Sequence, residues 1–484
     1  MLYQTPTGTL KDNCVLWHEG RFHLFTMYRD EQELADGNPL QWRHMWSAVS
    51  ADGVHWEDVG KVIQDAPFTL YAMRVWKAGD RFILNHGSFT EGRQDVLRFW
   101  ESTDLRQWRY LGPDLDVRRP DGGRLDHMDV VAVPNGDRTD WFGYAAGGLL
   151  RSTDGVRWVW QSDFQFTDNL GVRIVLEPGG CERIGERYYL LAGGFYPDSF
   201  GYSVATFIGD TPAGPFRPDY PAFRLNGNGG RHFVALWAGY CRTPQGLLLT
   251  NYIVDPRGRF FWHAPLKKAL VDGGGHLRSA YWQGNEALKA QPLQVTLDGP
   301  EVLQAAGEVR TGDGRIELEA APHQAVWWQI PETPLRSLAL LPAGLSSPTG
   351  WVLEARLQVR ATPGGDLVFP AAGLVLEDGP RRGVAAVFHT WGQTEIGRLT
   401  WADGLQFESR DRIGFGCASP AGIPAGKECL VRILWRRGLF ELYLDDLLVQ
   451  TFPTGPLTGR LGLLVQDGHA TFSDLRAWAM SLGE

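Results

Sequence analysis

A short phrase recurs in the first half of the chain, and its spacing constrains the fold more than any other feature. WSAVSADGVHW ends at Trp56, FWESTDLRQW at Trp108 and LLRSTDGVRW at Trp158, at intervals of 52 and 50 residues. Each copy reads as a strand, a polar S-x-D-G or S-T-D-L turn, then an aromatic able to seal against the neighbouring unit. A degenerate fourth copy, SVATFIGDTPAGPF, ends at Phe216. A second phrase precedes each copy: an apolar strand, a Gly turn and an aromatic-rich strand. Its instances are VLWHEGRFHLF (15–25), VWKAGDRFIL (75–84), VVAVPNGDRTDWFGY (130–144), ERIGERYYLL (182–191) and, as a fifth, VALWAGYCRTPQGLLLTNYI (234–253). Five units of about four strands each, at roughly 50-residue spacing, match the repeat of a β-propeller blade. A β-sandwich with coincidental hairpins is the competing fold, but it gives no reason for two phrases to recur in phase.

The rhythm stops after Leu288. The expected organisation is therefore all-β: a five-bladed propeller over 1–288, a linker and start of the second domain over 289–349, and a β-sandwich over 350–484. The last part carries alternating runs such as WVLEARLQVRA and CLVRILWRRGLFELYLDD without the blade phrase. Composition agrees, since 59 Gly, 29 Pro and 20 Trp in 484 residues favour many short strands over long helices. A net charge of −9 argues against a nucleic-acid partner and against an electrostatic membrane anchor. The chain opens MLYQTPTGTL, with no basic and apolar leader, and no apolar run reaches transmembrane length. Cys14, Cys181, Cys241, Cys417 and Cys429 are scattered and odd in number, as expected of thiols in a reducing compartment. A cytoplasmic protein is the expectation.

In a propeller the inner strands of all blades converge on one channel, so residues at their starts meet in space. Those positions are Asp12 in the first blade, Tyr71-Ala72-Met73-Arg74 in the second, and Asp126 with Asp129 in the third. The fourth supplies Glu177, and the fifth Arg231 with His232. Three of five starts carry a carboxylate, the equipment for glycosidic bond cleavage: one ionised as nucleophile or base, another protonated as acid. Candidate sugar-binding groups are Asp126, His127, His232, Arg74, Tyr71, Trp42, Trp46, Trp76, Trp237 and Trp262. For each aromatic the competing role is core packing. Phosphate-loop, zincin and serine-hydrolase motifs are absent, and neither a metal nor a cofactor is expected.

LKDNCVLWHEGRFHLF, HMDVVAV and LEPGGCERIGERYYLL together resemble a divergent glycoside hydrolase family 32 pattern. HAPLKKALVDGGGHLRS is similar to that family's exit from the last blade, and GLFELYLDDLLVQTFP to one of its sandwich strand pairs. The resemblance extends over nearly the whole chain. It implies a five-bladed propeller with a C-terminal β-sandwich, and retaining hydrolysis of β-fructofuranosides. It further implies Asp12 as nucleophile, Glu177 as general acid/base and Asp129 as transition-state stabiliser, with Asp126 an alternative to Asp129. The departures lie around the carboxylates. Lys11 stands where the family has Asn, and Asn13 where it has Pro. Met128-Asp129-Val130 replaces Arg-Asp-Pro, Glu177 is separated from Cys181, and His232-Phe233-Val234 replaces Asp-Phe-Tyr. Lys11 is expected to point outward as a solvated strand-edge lysine.

The leading expectation is an exo-acting glycosidase on a small furanoside, with a small carbohydrate as its partner and a homodimer as an option. Two alternatives stand beside it. One is a carbohydrate-binding propeller without activity. The other is an inverting arabinofuranosidase- or xylosidase-like hydrolase, which places its carboxylates on the first three blades, whereas the second blade here begins YAMR.

Overall fold

The repeat turn is encoded by its own side chains, and the computed structural model builds it the same way three times. It describes residues 2–36, 42–90, 93–112, 117–122, 127–134, 141–146, 148–164, 177–196, 201–226, 235–254, 261–304, 306–321, 335–362, 369–420, 422–457 and 459–483. In the first turn Ser50 Oγ accepts the Gly53 N–H at 2.8 Å, and Asp52 Oδ1 accepts the N–H groups of Val54 and His55 at 2.9 and 2.8 Å. Ser102 with Asp104, and Ser152 with Asp154, repeat the same bonds. These side chains satisfy backbone donors that no ladder reaches. The fourth turn residue has positive φ in every copy: +76° at Gly53, +62° at Leu105 and +75° at Gly155. The sequence pattern does not reveal a related turn in the fifth unit. There Asp272 Oδ1 accepts from Gly274 and His276 N–H at 2.9 and 3.0 Å, and His276 holds the place of the aromatic.

Four sheets of four antiparallel strands follow one another in chain order. The first is β1 (Thr9–His18), β2 (Arg21–Arg29), β3 (His44–Ser50) and β4 (Glu57–Ile63). The second is β5 (Tyr71–Ala78), β6 (Arg81–Thr90), β7 (Arg93–Ser102) and β8 (Arg109–Tyr110). The third is β9 (His127–Pro134), β10 (Trp141–Ala146), β11 (Gly148–Ser152) and β12 (Val159–Ser162). The fourth is β13 (Glu177–Ile184), β14 (Arg187–Tyr196), β15 (Gly201–Gly209) and β16 (Phe216–Pro218). A fifth set pairs in the same manner: β17 (Ala235–Thr243), β18 (Gly246–Val254), β20 (Lys267–Val271) and β21 (Leu277–Tyr281), with β19 (Phe261–His263) also on β18. A five-residue helix, α1 (Glu31–Ala35), follows β2 and is closed by a capping box between Asp30 and Glu33.

The repeat aromatics seal the blades as expected. Trp108 meets Phe25 of the first blade edge-on at 5.8 Å, and Trp158 meets Trp76 of the second at 6.3 Å. Phe216 meets Tyr144 of the third at 6.5 Å, and His276 Nδ1 lies 2.7 Å from Asp219 Oδ1 of the fourth. Trp56 completes the circle on His263 of the fifth, ring to ring at 5.1 Å. Backbone bonds at that junction, Leu2 N–H to His263 O and His263 N–H to Tyr3 O, tie the first residues to the last blade. Four of these five contacts pack large rings together, and burial of apolar area supplies most of the stabilisation there.

The chain divides into two units, Met1–Leu225 with Gly229–Asn285, and Asn226–Asn228 with Glu286–Glu484. The segment 289–349, expected to be a linker and the start of the second domain, carries β22 (Lys289–Leu293), β23 (Glu301–Gln304), β24 (Val309–Gly312), β25 (Arg315–Glu319) and β26 (Arg336–Gly344). Four of its strands have five residues or fewer, and several pair with strands far along the chain, so local pattern does not reveal them. The remaining strands are β27 (Trp351–Ala361), β28 (Ala371–Gly379), β29 (Arg382–His389), β30 (Thr394–Thr400), β31 (Gln406–Ile413), β32 (Glu428–Arg436), β33 (Leu439–Leu444), β34 (Leu447–Pro453), β35 (Arg460–Gln466) and β36 (Gly468–Met480). One sheet has the order β23-β26-β35-β28-β29-β30-β31; the other contains β34-β33-β32-β27-β36-β25-β24. Trp351, Leu353, Phe388, Ile433, Phe440 and Phe472 share the core between them. This is a β-sandwich. Among the described residues no helix is long and apolar enough to cross a membrane.

Candidate active site

The inner strands are irregular at their starts, and that irregularity aims the functional groups. The β1–β2 register slips between Lys11 and Asn13, leaving Asp12 as a bulge residue at φ +49°. Ala72 on β5 does the same at φ +51°, where the register slips between Tyr71 and Arg74. Slips also occur at Pro178/Gly180 on β13, Leu236/Ala238 on β17, and opposite Tyr144/Ala146 on β9. Bulges re-aim side chains and bend a strand. Gly179 is required at the fourth, because a Cβ there would collide with the Ala238 carbonyl oxygen of β17.

Asp12 is 3% exposed and accepts a hydrogen bond from the Tyr252 hydroxyl on β18. Lys11 Nζ lies 3.9 Å from Asp12 Oδ2 and donates to Tyr71 Oη at 3.2 Å, standing 4.6 Å over the Tyr71 ring. Glu177 Oε2 accepts from Tyr202 Oη on β15 at 2.7 Å. Glu177 also acts electrostatically on Asp12, Lys11 and Tyr71, so the two carboxylates and the Lys–Tyr pair form one interacting group. Arg74 is buried, donates to the Pro178 carbonyl at 3.2 Å and helps hold Asp12 ionised. Deeper in the channel the walls close to a cavity of about 90 Å³ lined by Cys14, Arg74, Gly180, Cys181, Gly239 and Tyr240, among others.

Lys11 does not point outward. Positive φ at Asp12 breaks the alternation of a regular strand, so Lys11 and Asp12 reach the same group of residues. Burial raises the Asp12 pKa; Lys11, Tyr252 and Arg74 lower it and Glu177 raises it, leaving it above the ordinary value. Burial works against the charge on Lys11 too, but Asp12, Tyr71 and Glu177 more than offset it, so the ammonium is stabilised. Burial, reinforced by Asp12, raises Tyr252 well above the usual phenol value. The site thus holds Lys11 charged and Tyr252 as a neutral donor, around a carboxylate whose ionisation burial opposes.

The other sequence candidates fall into three groups. Asp129 and His127 lie on β9, whose backbone is described while their side chains are outside the described residues. Asp126, Arg231 and His232 are outside them altogether, as is the Trp237 side chain. Trp42, Trp46 and Trp76 are used in packing. Trp42 joins Phe25, Met45, Met73 and Phe82 between the first two blades, and Trp76 packs with Phe99 and Trp158. Trp46 donates its indole N–H to Tyr3 Oη at 2.8 Å and packs 4.9 Å from Tyr28. Trp262 is buried on β19, opposite Ile253. Tyr202 and Tyr252 were missed because they reach the carboxylates from third and second strands, which a reading of first-strand starts does not survey. The signal available was Gly193, which pairs with Glu177: a Cβ there would collide with Tyr202 Oη.

Asp30, Glu33 and His44 bring three ligand-type atoms within 4.8 Å of one another. The donor set does not suit a metal. His44 Nδ1 accepts the Asp65 N–H at 3.1 Å, which leaves the proton on Nε2, facing Asp30 and Glu33 at 3.3 and 3.6 Å. Lys61 Nζ already neutralises Asp30 at 2.9 Å.

No family model and no curated protein matches the chain by sequence. Solved structures do match by shape. A Bombyx mori glycoside hydrolase family 32 β-fructofuranosidase superposes with TM-score 0.65 at 14% identity, covering 99% of this chain and 93% of that one. Sucrose-6-phosphate hydrolase from Lactobacillus gasseri gives 0.62 at 13%, covering 98% and 91%. Exo-inulinase from Aspergillus awamori gives 0.61 at 12%, covering 99% and 97%. Over nearly their full lengths these enzymes share this chain's fold: the chain has the propeller-and-sandwich architecture of glycoside hydrolase family 32.

Proposed function

We propose that this chain is an exo-acting glycosidase that cleaves a small, β-fructofuranoside-like furanoside with retention. Asp12 is the nucleophile, Glu177 the general acid/base and Asp129 the transition-state stabiliser. The observation that carries the reading is the meeting of Asp12 and Glu177, from the first and fourth blades, in one group with Lys11 and Tyr71. A buried carboxylate held by Tyr252 and a second held by Tyr202 provide two positioned carboxyl groups of the kind glycosidic cleavage uses. The fold neighbours add support: the Bombyx mori enzyme is a β-fructofuranosidase, and a mutant of it was solved in complex with sucrose.

The test is hydrolysis of sucrose, short fructans and nitrophenyl furanosides by the wild type and by Glu177→Gln. Turnover by the wild type and its loss in a folded Glu177→Gln support the assignment. Full activity in the variant would refute it. Proton NMR of the first-formed product reads retention against inversion. One observation favours the second reading, a sugar-binding propeller without activity: Lys11 sits against Asp12, where a cation draws electron density from a nucleophile. Binding of a furanoside by calorimetry without any turnover would select that reading.

A further inference from the structure

A second cavity, of about 620 Å³, opens toward the far end of β1 from Asp12. Trp17 lines it, five residues beyond Asp12 and so about 16 Å away along an extended strand. Phe22, 2% exposed, is packed edge-on by two half-buried indoles, Trp17 at 4.6 Å and Trp282 at 5.6 Å. Trp282 is firmly seated. A Cβ on Gly53 would meet its ring at 2.9 Å and one on Gly284 would collide with it outright, so both positions must be Gly for the indole to lie where it does. The exposed side chains of Gln245, Lys268 and Gln283 also line the cavity. Asp52 lines it too, but its oxygens are engaged by its own turn and by His55.

We propose that this cavity is a binding site, separate from the carboxylates, for a short neutral oligosaccharide. A sugar ring presents an apolar C–H face and a rim of hydroxyls. Fixed aromatic rings suit the first, and amide and ammonium groups that donate and accept at the edge suit the second. The volume falls in the range of about 300–1,000 Å³ typical of small-ligand sites. The pre-seated indole removes much of the ordering cost that weak sugar binding must overcome. A peptide strand would instead need a free sheet edge, and a lipid chain a continuous apolar trough without the polar side chains. The inference does not depend on hydrolysis at Asp12 and Glu177.

The experiment is calorimetric titration of the full chain with 1-kestose and, separately, cellotriose. It compares the wild type, Glu177→Gln, Trp282→Ala and the exposed-residue double variant Gln245→Ala/Lys268→Ala. The expected result is binding of at least one sugar that Glu177→Gln leaves intact. That binding weakens at least tenfold in folded Trp282→Ala or in the double variant. No binding by either sugar, or binding that both cavity variants leave unchanged, overturns the proposal. Should Trp282→Ala fail to fold, the double variant decides alone. Absence of hydrolysis would sink the proposed activity and leave this result standing.

Discussion

The hydroxyl of Tyr202 donates to Glu177 Oε2 across 2.7 Å, and Gly193, paired directly with Glu177, leaves the space that hydroxyl occupies. A hydrogen bond to a charged group is worth about 1.5–3 kcal/mol. Tyr202→Phe is therefore expected to lower kcat by roughly ten- to a hundredfold on the substrate identified in the screen, with the fold unchanged by circular dichroism. Gly193→Ala should lower it by a similar factor. The double variant should be little worse than either single one, because both remove the same contact. Additive losses would show that the two positions act independently.

Lys11 lowers the pKa of Asp12, which burial raises. As the proposed nucleophile Asp12 must be ionised, so the acid limb of kcat/KM against pH is expected to report that group. Removing the cation in Lys11→Met raises the Asp12 pKa further, and the limb is expected to move up by about one pH unit. A limb that stays put, or moves down, would show that Lys11 does not govern Asp12.

The turn carboxylates make a stability prediction. Asp154 is held below its ordinary pKa of 3.8: burial opposes this, but the Arg157 and Val156 N–H groups and Ser152 outweigh it. Its contribution is present above that value and is lost as pH falls through the lower folded-state pKa. Asp154→Ala is expected to reduce Tm by about 2–4 °C at neutral pH. The gap should narrow as pH falls through that lowered folded-state pKa. A gap that is constant with pH would mean that the charge is immaterial.

Closure of the ring rests on Trp56 against His263. Trp56 is partly buried, and truncating a fully buried Trp costs about 3–5 kcal/mol, which is the ceiling for its loss. Trp56→Ala should therefore shift the urea midpoint of the propeller strongly, whereas an exposed substitution such as Gln245→Ala should shift stability by less than about 0.5 kcal/mol. Equal effects would remove Trp56 from the closure.

Adding Zn2+ or Ca2+ is expected to leave Tm unchanged at the Asp30–Glu33–His44 cluster, since Lys61 and the tautomer of His44 oppose a metal. A saturable rise in Tm that His44→Ala abolishes would contradict this.

Much of this structure was legible because it is written locally. Ser50 and Asp52 close their turn with bonds spanning three residues or fewer, so the phrase that encodes the turn is contiguous and repeats visibly. The carboxylates at Asp12 and Glu177 were legible for a different reason: propeller geometry forces first strands together whatever their distance in sequence. The orientation of Lys11 was not, because it depends on a bulge that overrides the two-residue alternation used to read a strand. Nor were Tyr202 and Tyr252, whose reach depends on cross-strand register and on the missing side chain of Gly193. The His276 copy was hidden because a bond to Asp219 replaces an aromatic contact there.

The left-handed backbone at Asp12 has a consequence for how this protein can change. Gly, Asn and Asp adopt that conformation readily, while β-branched or bulky residues resist it. Under the proposed function the position is constrained twice, once by chemistry and once by shape. Drift away from catalysis is funnelled toward Asn or Gly, which keep the bulge while discarding the charge. Under the proposed function, a relative that carried either residue here would lose the nucleophile without disturbing its propeller, and would keep a sugar site while losing the reaction.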